Sequence, residues 1–370
     1  MKKEMVKKVF ACGMSAAMVL AMAACGSSSE TTTTAAADTT AAATADTTAA
    51  EADTTAAAAD TKAAAETGLK DTYKVAVVKQ MDHASLDEIA DAIVAELDKL
   101  AEENGITIDY GQVYSGQGDQ SILMQIGDQA ISDGVDAIIP IATLAAQVMT
   151  SCAEETKTPV VFAAISDPET ADLVDIDYVT GTSDALNTDF ILDMMLAQNP
   201  DVQKVGLLYS LSEPNSTTPI AEAKAYLDAK NIEYVEATAN TNDEVISAAS
   251  VLASEGVDAV FTPTDNIIMA AETTIAQTFA EAGIPHYTGA DSFVRNGAFT
   301  TCGVNYTDLG TKTADLAFEA MTKGMDGMED FYKMDGGIIT VNTETAAELK
   351  IDYSVFADMG ELVEVTTTED

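Results

Sequence analysis

Several polar residues lie directly after apolar runs, where they could bind the charged groups of a small molecule. Ser85, Thr143 and Ser216 stand at predicted helix starts, whose free backbone amides and dipole favour an anion. The same hydroxyl groups could equally serve only as helix N-caps. Asp265 and Asp291 follow predicted strands and could accept hydrogen bonds from a cation. Together these residues offer donors for an anionic group and acceptors for a cationic one.

Further candidates lie in neighbouring predicted loops. Thr264 and Asn266 belong to one run after a predicted strand, and Asn215 could form hydrogen bonds with a ligand. Asp167 is part of Ser-Asp-Pro, which is also a common turn. Tyr306 could stack on a planar side chain, although packing in the core is an equal alternative. The expected ligand-binding set therefore contains ten polar residues.

The sequence contains few residues and motifs that could support catalysis or metal binding. The chain contains two histidines, His83 and His286, and lacks a G-x-S-x-G elbow, an H-E-x-x-H helix and a P-loop. Cys152 and Cys302 fall in apolar segments, which favours buried free thiols over a disulfide. We therefore predict no catalytic residue, no metal site and no cofactor.

The tetrapeptide Gly-Val-Asp-Ala occurs twice, at residues 134–137 and 256–259, which are 122 residues apart. Each copy stands between two helix-like patterns and opens a short apolar run that ends in threonines. The repeat predicts two similar α/β lobes. Because ligands bind beyond the carboxyl ends of parallel strands, Thr143 and the run 264–266 are expected on opposite walls of one cleft.

Strand-like and helix-like segments alternate along the chain, a pattern typical of parallel sheets covered by helices on both faces. The predicted fold class is α/β, with two Rossmann-like doubly wound parallel-sheet lobes and a hinge of about three chain crossings. Residues 69–182 and 290–325 are assigned to lobe 1, and residues 183–289 and 326–365 to lobe 2. The predicted strands are residues 73–79, 106–112, 137–141, 159–164, 204–209, 233–237, 259–262, 285–289 and 299–304.

Residues 1–24 have the layout of a secretory signal, because lysines precede an apolar run that is too short for a comfortable membrane span. The run continues into Leu-Ala-Met-Ala-Ala-Cys at residues 20–25, which resembles the bacterial lipobox, with Met22 in place of the usual leucine. The resemblance implies cleavage before Cys25 and a lipid on its sulfur, which would anchor the protein to a membrane without spanning it. An ordinary secretory signal with an incidental cysteine is the alternative.

Composition sets two further limits. After Cys25, the segment up to residue 68 is almost entirely Ala, Thr, Ser, Asp and Glu, and it cannot bury enough apolar surface to offset chain entropy. We predict that residues 25–68 form a disordered tether. The formal net charge of −43 argues against nucleic-acid binding, since phosphate contacts need a basic surface.

Short runs in a fixed order carry a resemblance to a family of bacterial transport proteins. They are Asp-His-Ala-Ser-Leu-Asp at 82–87, Ile-Ala-Thr at 141–143, Val-Phe-Ala-Ala at 161–164, Ser-Asp-Pro at 166–168, Val-Thr-Gly-Thr-Ser-Asp at 179–184, Ser-Glu-Pro-Asn-Ser at 212–216, Pro-Thr-Asp-Asn at 263–266, Asn-Tyr at 305–306 and Asp-Leu-Gly at 308–310. Nearly all of residues 73–351 resembles the ABC-transporter substrate-binding proteins related to the tryptophan and tyrosine uptake receptors. Ala84 departs from the proline usual in that family.

The resemblance implies a type I periplasmic-binding-protein fold and an extracytoplasmic receptor. Such a receptor binds a small solute, closes its lobes and delivers the solute to a membrane permease driven by a separate ATPase. The implied ligand is an aromatic or other amino acid, with Asp265 and Asp291 as partners of its ammonium group. We expect a monomer at the extracellular face of the membrane that makes or breaks no bond. A sensor of the same fold, a sugar- or nucleoside-binding protein, a cleft enzyme and a surface adhesin are the alternatives.

Overall fold

A computed structural model describes residues 68–368 of the chain. The predicted signal at residues 1–24, the predicted lipidation site Cys25 and all but the last residue of the predicted tether lie outside the described residues. Two seven-stranded sheets organise the described part, and each is covered by helices on both faces. The predicted α/β fold with two doubly wound lobes is confirmed.

Lobe 1 contains the first sheet, in which every strand pair is parallel. β2 and β3 both pair with β1, so they act as one strand interrupted at residues 110–112. The order then continues through β1, β4, β5 and β6, so the winding direction reverses between β1 and β4. The elements are β1 (Thr72–Lys79), α1 (Ala84–Asn104), β2 (Thr107–Asp109), β3 (Val113–Ser115), α2 (Gln120–Ser132), β4 (Ala137–Ile141), α3 (Thr143–Cys152), β5 (Val160–Phe162) and β6 (Val179–Ser183).

Lobe 2 repeats this plan, and its sheet reverses between β7 and β9. A 3₁₀ turn at Pro214–Ser216 leads from β7 towards α5. The elements are α4 (Thr188–Gln198), β7 (Lys204–Tyr209), α5 (Thr217–Lys230), β8 (Glu233–Thr238), α6 (Asn242–Ser254), β9 (Ala259–Thr262), α7 (Asn266–Met269), α8 (Glu272–Ala282), β10 (His286–Thr288), α9 (Asp291–Arg295) and β11 (Thr300–Gly303).

The chain crosses between the lobes three times. After β11 it returns to lobe 1, where α10 packs on α1 and β12 pairs with β6. It then re-enters lobe 2, where β13 runs antiparallel to β11 and β14 runs parallel to β13. These last elements are α10 (Tyr306–Lys323), β12 (Tyr332–Lys333), β13 (Ile338–Asn342), α11 (Thr343–Leu349), a 3₁₀ helix (Ser354–Asp358) and β14 (Glu361–Val365).

Two segments belong to the opposite lobe from the one expected. Residues 290–304 were assigned to lobe 1, but β11 pairs with β10 and β13 of lobe 2. The preceding Phe299 decides this placement, because its ring packs against Tyr287 and Phe356 in the core of lobe 2. Residues 326–333 were assigned to lobe 2, but β12 adds to the edge of the lobe 1 sheet. The hydrophobic pattern of a segment predicts that it is a strand, but which strand it pairs with depends on side-chain packing of this kind.

The two Gly-Val-Asp-Ala copies have the same local structure. Gly134 and Gly256 have φ angles of 65° and 68°, in the left-handed region that favours glycine. Asp136 accepts a hydrogen bond from a backbone amide of β1 at 2.9 Å, and Asp258 accepts one from β7 at 2.9 Å. Each aspartate thus secures the start of the first strand of its own lobe. The strands that follow, β4 and β9, occupy equivalent places in the two sheets.

Both sheets are buried on their two faces, as a parallel sheet requires. In β1, Val75 and Val77 pack towards α1 and α10, whereas Ala76 and Val78 pack towards α2 and α3. Cys152 and Cys302 are free thiols, as expected; Cys302 is buried, whereas Cys152, which was also expected to be buried, is half-buried. Within residues 68–368, no helix has the length and apolar character needed to cross a bilayer.

Candidate ligand-binding site

The winding of the sheets reverses between β1 and β4 in lobe 1 and between β7 and β9 in lobe 2. These two places face each other across a cleft between the lobes, at the carboxyl ends of the central strands. The cavity enclosed between the lobes is small, about 20 Å³, which is room for a water molecule, so a bound solute requires the lobes or the lining side chains to move apart. Seven of the ten expected binding residues line this cavity: Ser85, Thr143, Asn215, Thr264, Asp265, Asn266 and Tyr306.

The three hydroxyl residues at helix starts have different surroundings. The Ser85 hydroxyl lies 2.5 Å from that of Ser292 in lobe 2, and either can donate. The Ser216 hydroxyl donates to Asp265 at 2.7 Å. The Thr143 hydroxyl is buried and has no hydrogen-bond partner among the described residues. In the structure of residues 68–368, none of these hydroxyls caps its own helix, so the N-cap alternative does not account for them.

Three of the expected residues lie outside the cavity lining. Asp167 is tied into its turn and accepts a hydrogen bond from the Thr218 hydroxyl at 2.6 Å, across the lobes. Asp291 is half-buried and pairs with Arg295 at 3.1 Å. Ser216 stands behind the cavity wall, where it holds a lining residue in place. These geometries favour structural roles for Asp167 and Ser216, whereas Asp291 Oδ1 is buried and has no hydrogen-bond partner among the described residues.

Asp265 lines the cavity, but its carboxylate is used within lobe 2. Oδ2 accepts hydrogen bonds from the Ser210 amide and the Ser216 hydroxyl, both at 2.7 Å. Oδ1 accepts from the amides of Ile267 and Ile268 at 3.1 and 3.0 Å, which makes Asp265 the N-cap of α7. A carboxylate has about four acceptor sites, and all four are occupied. The geometry therefore disagrees with the expected contact between Asp265 and a ligand ammonium group.

Asp184 is the cavity carboxylate that the sequence analysis did not select. It directly follows β6, is 5% exposed, and lines the cavity. Ser166 donates to its Oδ1 at 3.0 Å, and Tyr306 donates to its Oδ2 at 3.1 Å. Each oxygen accepts one hydrogen bond from the described residues and retains acceptor capacity. Burial raises the pKa of Asp184, so a positive charge beside it would be strongly favoured.

Direct hydrogen bonds between side chains hold the lobes together across the cleft. Among residues 68–368, five such pairs join the lobes, and none of the five joins two oppositely charged side chains. Their partners are Gln80 and Glu213, His83 and Asn266, Ser85 and Ser292, Ser166 and Thr264, and Thr218 and Asp167. The structure therefore represents a closed arrangement of the two lobes.

Two of these pairs belong to one buried network. Gln80 Nε2 donates to Glu213 Oε1 at 2.7 Å, and Asn266 Nδ2 donates to Glu213 Oε2 at 2.6 Å. His83 Nε2 lies 3.0 Å from Asn266 Oδ1. The Leu144 amide, in the first turn of α3, donates to Gln80 Oε1 at 3.1 Å. The network thus runs from lobe 1 to lobe 2 and back.

The network contains two groups whose pKa values are displaced in opposite directions. Burial, and secondarily the charge of Asp265, raises the pKa of Glu213 to about 8. Burial lowers the pKa of His83 to about 4, against the effect of its hydrogen bond to Asn266. His83 is therefore neutral at pH 7, and one of its two ring nitrogens carries no proton.

Buried polar atoms without a partner concentrate at the cavity. Seven such atoms occur among the described residues, and three belong to residues that line it. These are His83 Nδ1, Thr143 Oγ1 and Asn215 Oδ1. The Asn215 amide is fixed in direction because its Nδ2 donates to the Thr264 carbonyl at 2.5 Å. Buried polar groups are normally satisfied, so these atoms mark positions where a polar ligand would complete the hydrogen bonding.

The start of α3 also lines the cavity, and one of its first-turn amides, that of Leu144, already donates to Gln80. Its N-cap is Ala142, whose side chain cannot accept a hydrogen bond and whose φ of 77° is uncommon for a residue with a Cβ atom. Ala164, which also lines the cavity, has a φ of 58°. Backbone strain of this kind persists where the surrounding structure enforces it and is frequent at functional sites. The amide end of α3 is therefore suited to an anionic group.

Part of the cavity lining is apolar. Small side chains at Ala142, Ala164 and Ala290 leave space, while larger ones form the wall. The large apolar residues are Leu86, Ile89, Met269 and Phe293, and the ring of Tyr306 adjoins the carboxylate of Asp184. No group of three or more His, Cys, Asp or Glu side chains suited to a metal ion occurs in residues 68–368. The lining thus combines charge-binding groups with an apolar wall.

The comparisons with known proteins agree with this architecture. A family model described as ABC transporter substrate binding protein matches residues 74–356. The chain is 28% identical over 291 residues to a tyrosine-binding protein of Clostridioides difficile, covering 77% of this chain and 83% of that protein.

Two solved structures show the same fold. One is an ABC domain in complex with L-Trp from Streptococcus pneumonia, with 29% identity, a TM-score of 0.71, and coverage of 79% of this chain and 100% of that one. The other is the ligand-free, open form of a Clostridium difficile substrate binding protein with adhesive properties, with 26% identity, a TM-score of 0.59, and coverage of 80% and 100%. The match over residues 74–356 and the two-lobed fold identify this chain as a member of the ABC transporter substrate-binding protein family, with a type I periplasmic-binding-protein-like fold.

Proposed function

We propose that this protein binds an amino acid with an aromatic side chain between its lobes, without changing it chemically. The observation that carries the proposal is Asp184, a buried carboxylate at the cavity with unused acceptor capacity on both oxygens. A buried carboxylate needs a positive charge, and the ammonium group of an amino acid supplies one. The names of the similar tyrosine-binding protein and the L-Trp complex support the same ligand class.

In this proposal, Asp184 and Asn215 bind the ammonium group. Ser166 and Thr264 link the two residues, because their hydroxyls lie 3.0 Å apart and the Thr264 carbonyl accepts from Asn215. The free Oδ1 of Asn215 is an acceptor, as an ammonium group requires. Ser166 and Asp184 belong to lobe 1, whereas Thr264 and Asn215 belong to lobe 2. An ammonium group held here would contact both lobes only when they are closed.

The ligand carboxylate has its counterpart at the start of α3. The unpartnered hydroxyl of Thr143 can donate to it, and the dipole of the helix favours an anion there, while the Leu144 amide is already taken by Gln80. The apolar wall of Leu86, Ile89, Met269 and Phe293 then faces the ligand side chain. Because the ligand contacts both lobes, its binding shifts the population towards the closed arrangement.

Membership of the ABC transporter substrate-binding family supports a role in import. We propose that the protein acts as a monomer at the extracellular face of the membrane, attached by a lipid on Cys25, and delivers its ligand to a permease driven by a separate ATPase. Metal ions and cofactors have no part in this function. Labelling cells with a lipid precursor, and comparing the intact chain with Cys25→Ala, would test the anchor. The substituted chain should incorporate no label and leave the membrane fraction.

The ligand proposal can be tested by calorimetry on residues 68–368 with L-tyrosine, L-tryptophan, L-phenylalanine, glucose and a nucleoside. We expect binding of aromatic amino acids alone, and a loss of about 100-fold for Asp184→Asn, because the ammonium group loses a buried charged partner. Glu272→Gln provides the matched control, since Glu272 is buried and pairs with His286 away from the cavity. Binding only of the sugar or nucleoside, or equal affinity of Asp184→Asn and the unchanged protein, would contradict the proposal.

A further inference from the structure

We propose that His83 selects a ligand whose aromatic side chain bears a hydroxyl group, as tyrosine does, by forming a hydrogen bond through Nδ1. The inference rests on the proposed amino-acid-binding function and adds the residue that reads the polar end of the side chain. Two observations carry it. Nδ1 of His83 is buried without a partner beside the cavity, and a defined network fixes the other ring nitrogen.

His83 is joined through the chain and through a hydrogen bond to the helices that carry the apolar wall. It directly precedes α1, which contributes Leu86 and Ile89 to the wall, and its partner Asn266 begins α7, which contributes Met269. No hydrogen bond within the described structure joins His83 to the cluster around Asp184. A ligand held at its charged end by that cluster and by α3 would direct its side chain towards this wall.

The network determines which ring nitrogen carries the proton when Glu213 is ionised. Asn266 Nδ2 then donates to the carboxylate, so Asn266 Oδ1 faces His83. A carbonyl oxygen only accepts, and therefore Nε2 of His83 carries the hydrogen. Because burial keeps the ring neutral, Nδ1 has a lone pair and accepts from the ligand.

A protonated Glu213 reverses this pattern. Its carboxylic acid donates to the Asn266 carbonyl oxygen, and the amide group turns over so that its nitrogen donates to His83 Nε2. The hydrogen of the imidazole then lies on Nδ1, which becomes a donor. In both states Nδ1 requires a partner at the cavity, but the direction of the hydrogen bond differs.

Aromatic amino acids differ in how they meet this requirement. The phenolic hydroxyl of tyrosine both donates and accepts, so it satisfies Nδ1 in either state. The indole of tryptophan only donates and satisfies the ionised state alone. Phenylalanine leaves the nitrogen buried and unpaired in both states. A site built to bind a hydroxyl group strongly disfavours the analogue that lacks it.

The test measures the affinities of L-tyrosine, L-tryptophan and L-phenylalanine by calorimetry at pH 7 for the unchanged protein and for two substitutions. His83→Asn keeps a polar atom near the position of Nδ1, whereas His83→Gln keeps one near Nε2 and preserves the contact with Asn266. We expect the unchanged protein to bind tyrosine at least about tenfold more tightly than phenylalanine, because phenylalanine leaves one buried nitrogen unpaired. His83→Gln should abolish that preference by weakening tyrosine binding alone, and His83→Asn should retain it.

Phenylalanine binding by both variants serves as the folding control. Equal affinities of tyrosine and phenylalanine for the unchanged protein would overturn the inference. So would a uniform loss for all ligands in His83→Gln, because that result assigns His83 to lobe closure alone, or a loss of the preference in His83→Asn. If the unchanged protein bound none of the three amino acids, the proposed function itself would be wrong.

Discussion

In lobe 1 the repeated strand leads through Ala142 into α3, whereas in lobe 2 it leads through Asp265 into α7. Ala142 offers no side-chain cap to α3, and the Leu144 amide of its first turn donates to Gln80 of the same lobe instead. Asp265 caps α7 with one carboxylate oxygen and holds Ser210 and Ser216 with the other. Lobe 1 thus leaves polar groups available to a ligand, and lobe 2 uses its charge to fix its own loop.

This difference changes the expectation drawn from residue type. An aspartate at a strand end facing a cleft suggests a partner for a cation, and two such residues follow the strands of lobe 2. Yet a carboxylate surrounded by backbone amides already has its hydrogen bonds, and further charge binding gains little. Among the residues that line the cavity, the carboxylate that retains acceptor capacity is Asp184, where β6 of lobe 1 leads into the first crossing. Asp291 also has an unpartnered oxygen, but it lies outside the cavity lining. Asp184 and Asp265 are both aspartates, so the number of acceptor positions still free, rather than the residue type, separates a ligand-binding role from a loop-stabilising one.

The largest effect that would test this comparison is on stability. Asp265→Ala removes an N-cap and leaves the Ser210 amide and the Ser216 hydroxyl buried without partners. Losing the cap costs about 1 kcal/mol, and the buried polar groups add about 1–3 kcal/mol. We therefore expect the free energy of unfolding to fall by about 3 kcal/mol, measured by urea denaturation with an unchanged m-value.

Asp119→Ala is the matched control for this substitution. Asp119 caps α2 in lobe 1 through the amides of Ser121 and Ile122, but it is exposed and holds no buried loop. Its removal should cost about 1 kcal/mol. If Asp265→Ala lost no more stability than the control while abolishing ligand binding, Asp265 would face the ligand and the contrast between the lobes would fail.

A smaller effect concerns the network that joins the lobes through Glu213. In the closed arrangement the pKa of Glu213 is raised to about 8 by burial and by Asp265, and opening the cleft would hydrate the carboxyl group and lower its pKa. At pH values between the pKa of Glu213 in the open form and its pKa in the closed form, closure is accompanied by uptake of a proton. The favourable contribution to binding is fully present below the pKa of the open form and is lost as the pH rises through about 8.

We expect ligand affinity to fall about tenfold, or roughly 1.4 kcal/mol, between pH 7 and pH 9. Calorimetry at pH 7 in buffers of different ionisation enthalpy should detect uptake of about one proton on binding. Glu213→Gln cannot titrate, so it should show no such uptake and only the residual pH dependence of the ligand itself. Equal proton uptake by the variant and the unchanged protein would assign the titration to another group.

The sequence predicted the fold more completely than the chemistry of individual side chains. Strand and helix patterns, together with the repeat, indicated two doubly wound lobes because burial on both faces of a parallel sheet leaves a clear apolar signal. The lobe to which β11 belongs could not be predicted, since it depends on contacts between Phe299 and residues distant in the chain. The hydrophobic pattern within a segment does not show which other segments it contacts in the folded protein.

The same limit applies to the cavity. Asp184 follows the strand Val179–Ser183, and applying the strand-end rule to that run would have selected it. His83 lies in the loop after the predicted strand 73–79, but the role of its free nitrogen depends on Asn266, which is distant in sequence. Whether a polar side chain is free or already paired is decided by tertiary contacts, so residue type alone could not separate Asp184 from Asp265.

The smallest predicted effect concerns the N-terminus of α3 in lobe 1, which has no side-chain cap. Thr143→Val removes a buried, unpartnered hydroxyl that lines the cavity while keeping the shape of the side chain. If this hydroxyl donates to the ligand carboxylate, its loss should weaken binding about fivefold, or roughly 1 kcal/mol, in calorimetry. Thr150→Val is a close control, because Thr150 lies on the same helix and its hydroxyl is likewise unpartnered among residues 68–368, but it is not part of the cavity lining. Thr150→Val should leave affinity unchanged, and an equal loss in both variants would mean that the packing of α3, and not the Thr143 hydroxyl, determines binding.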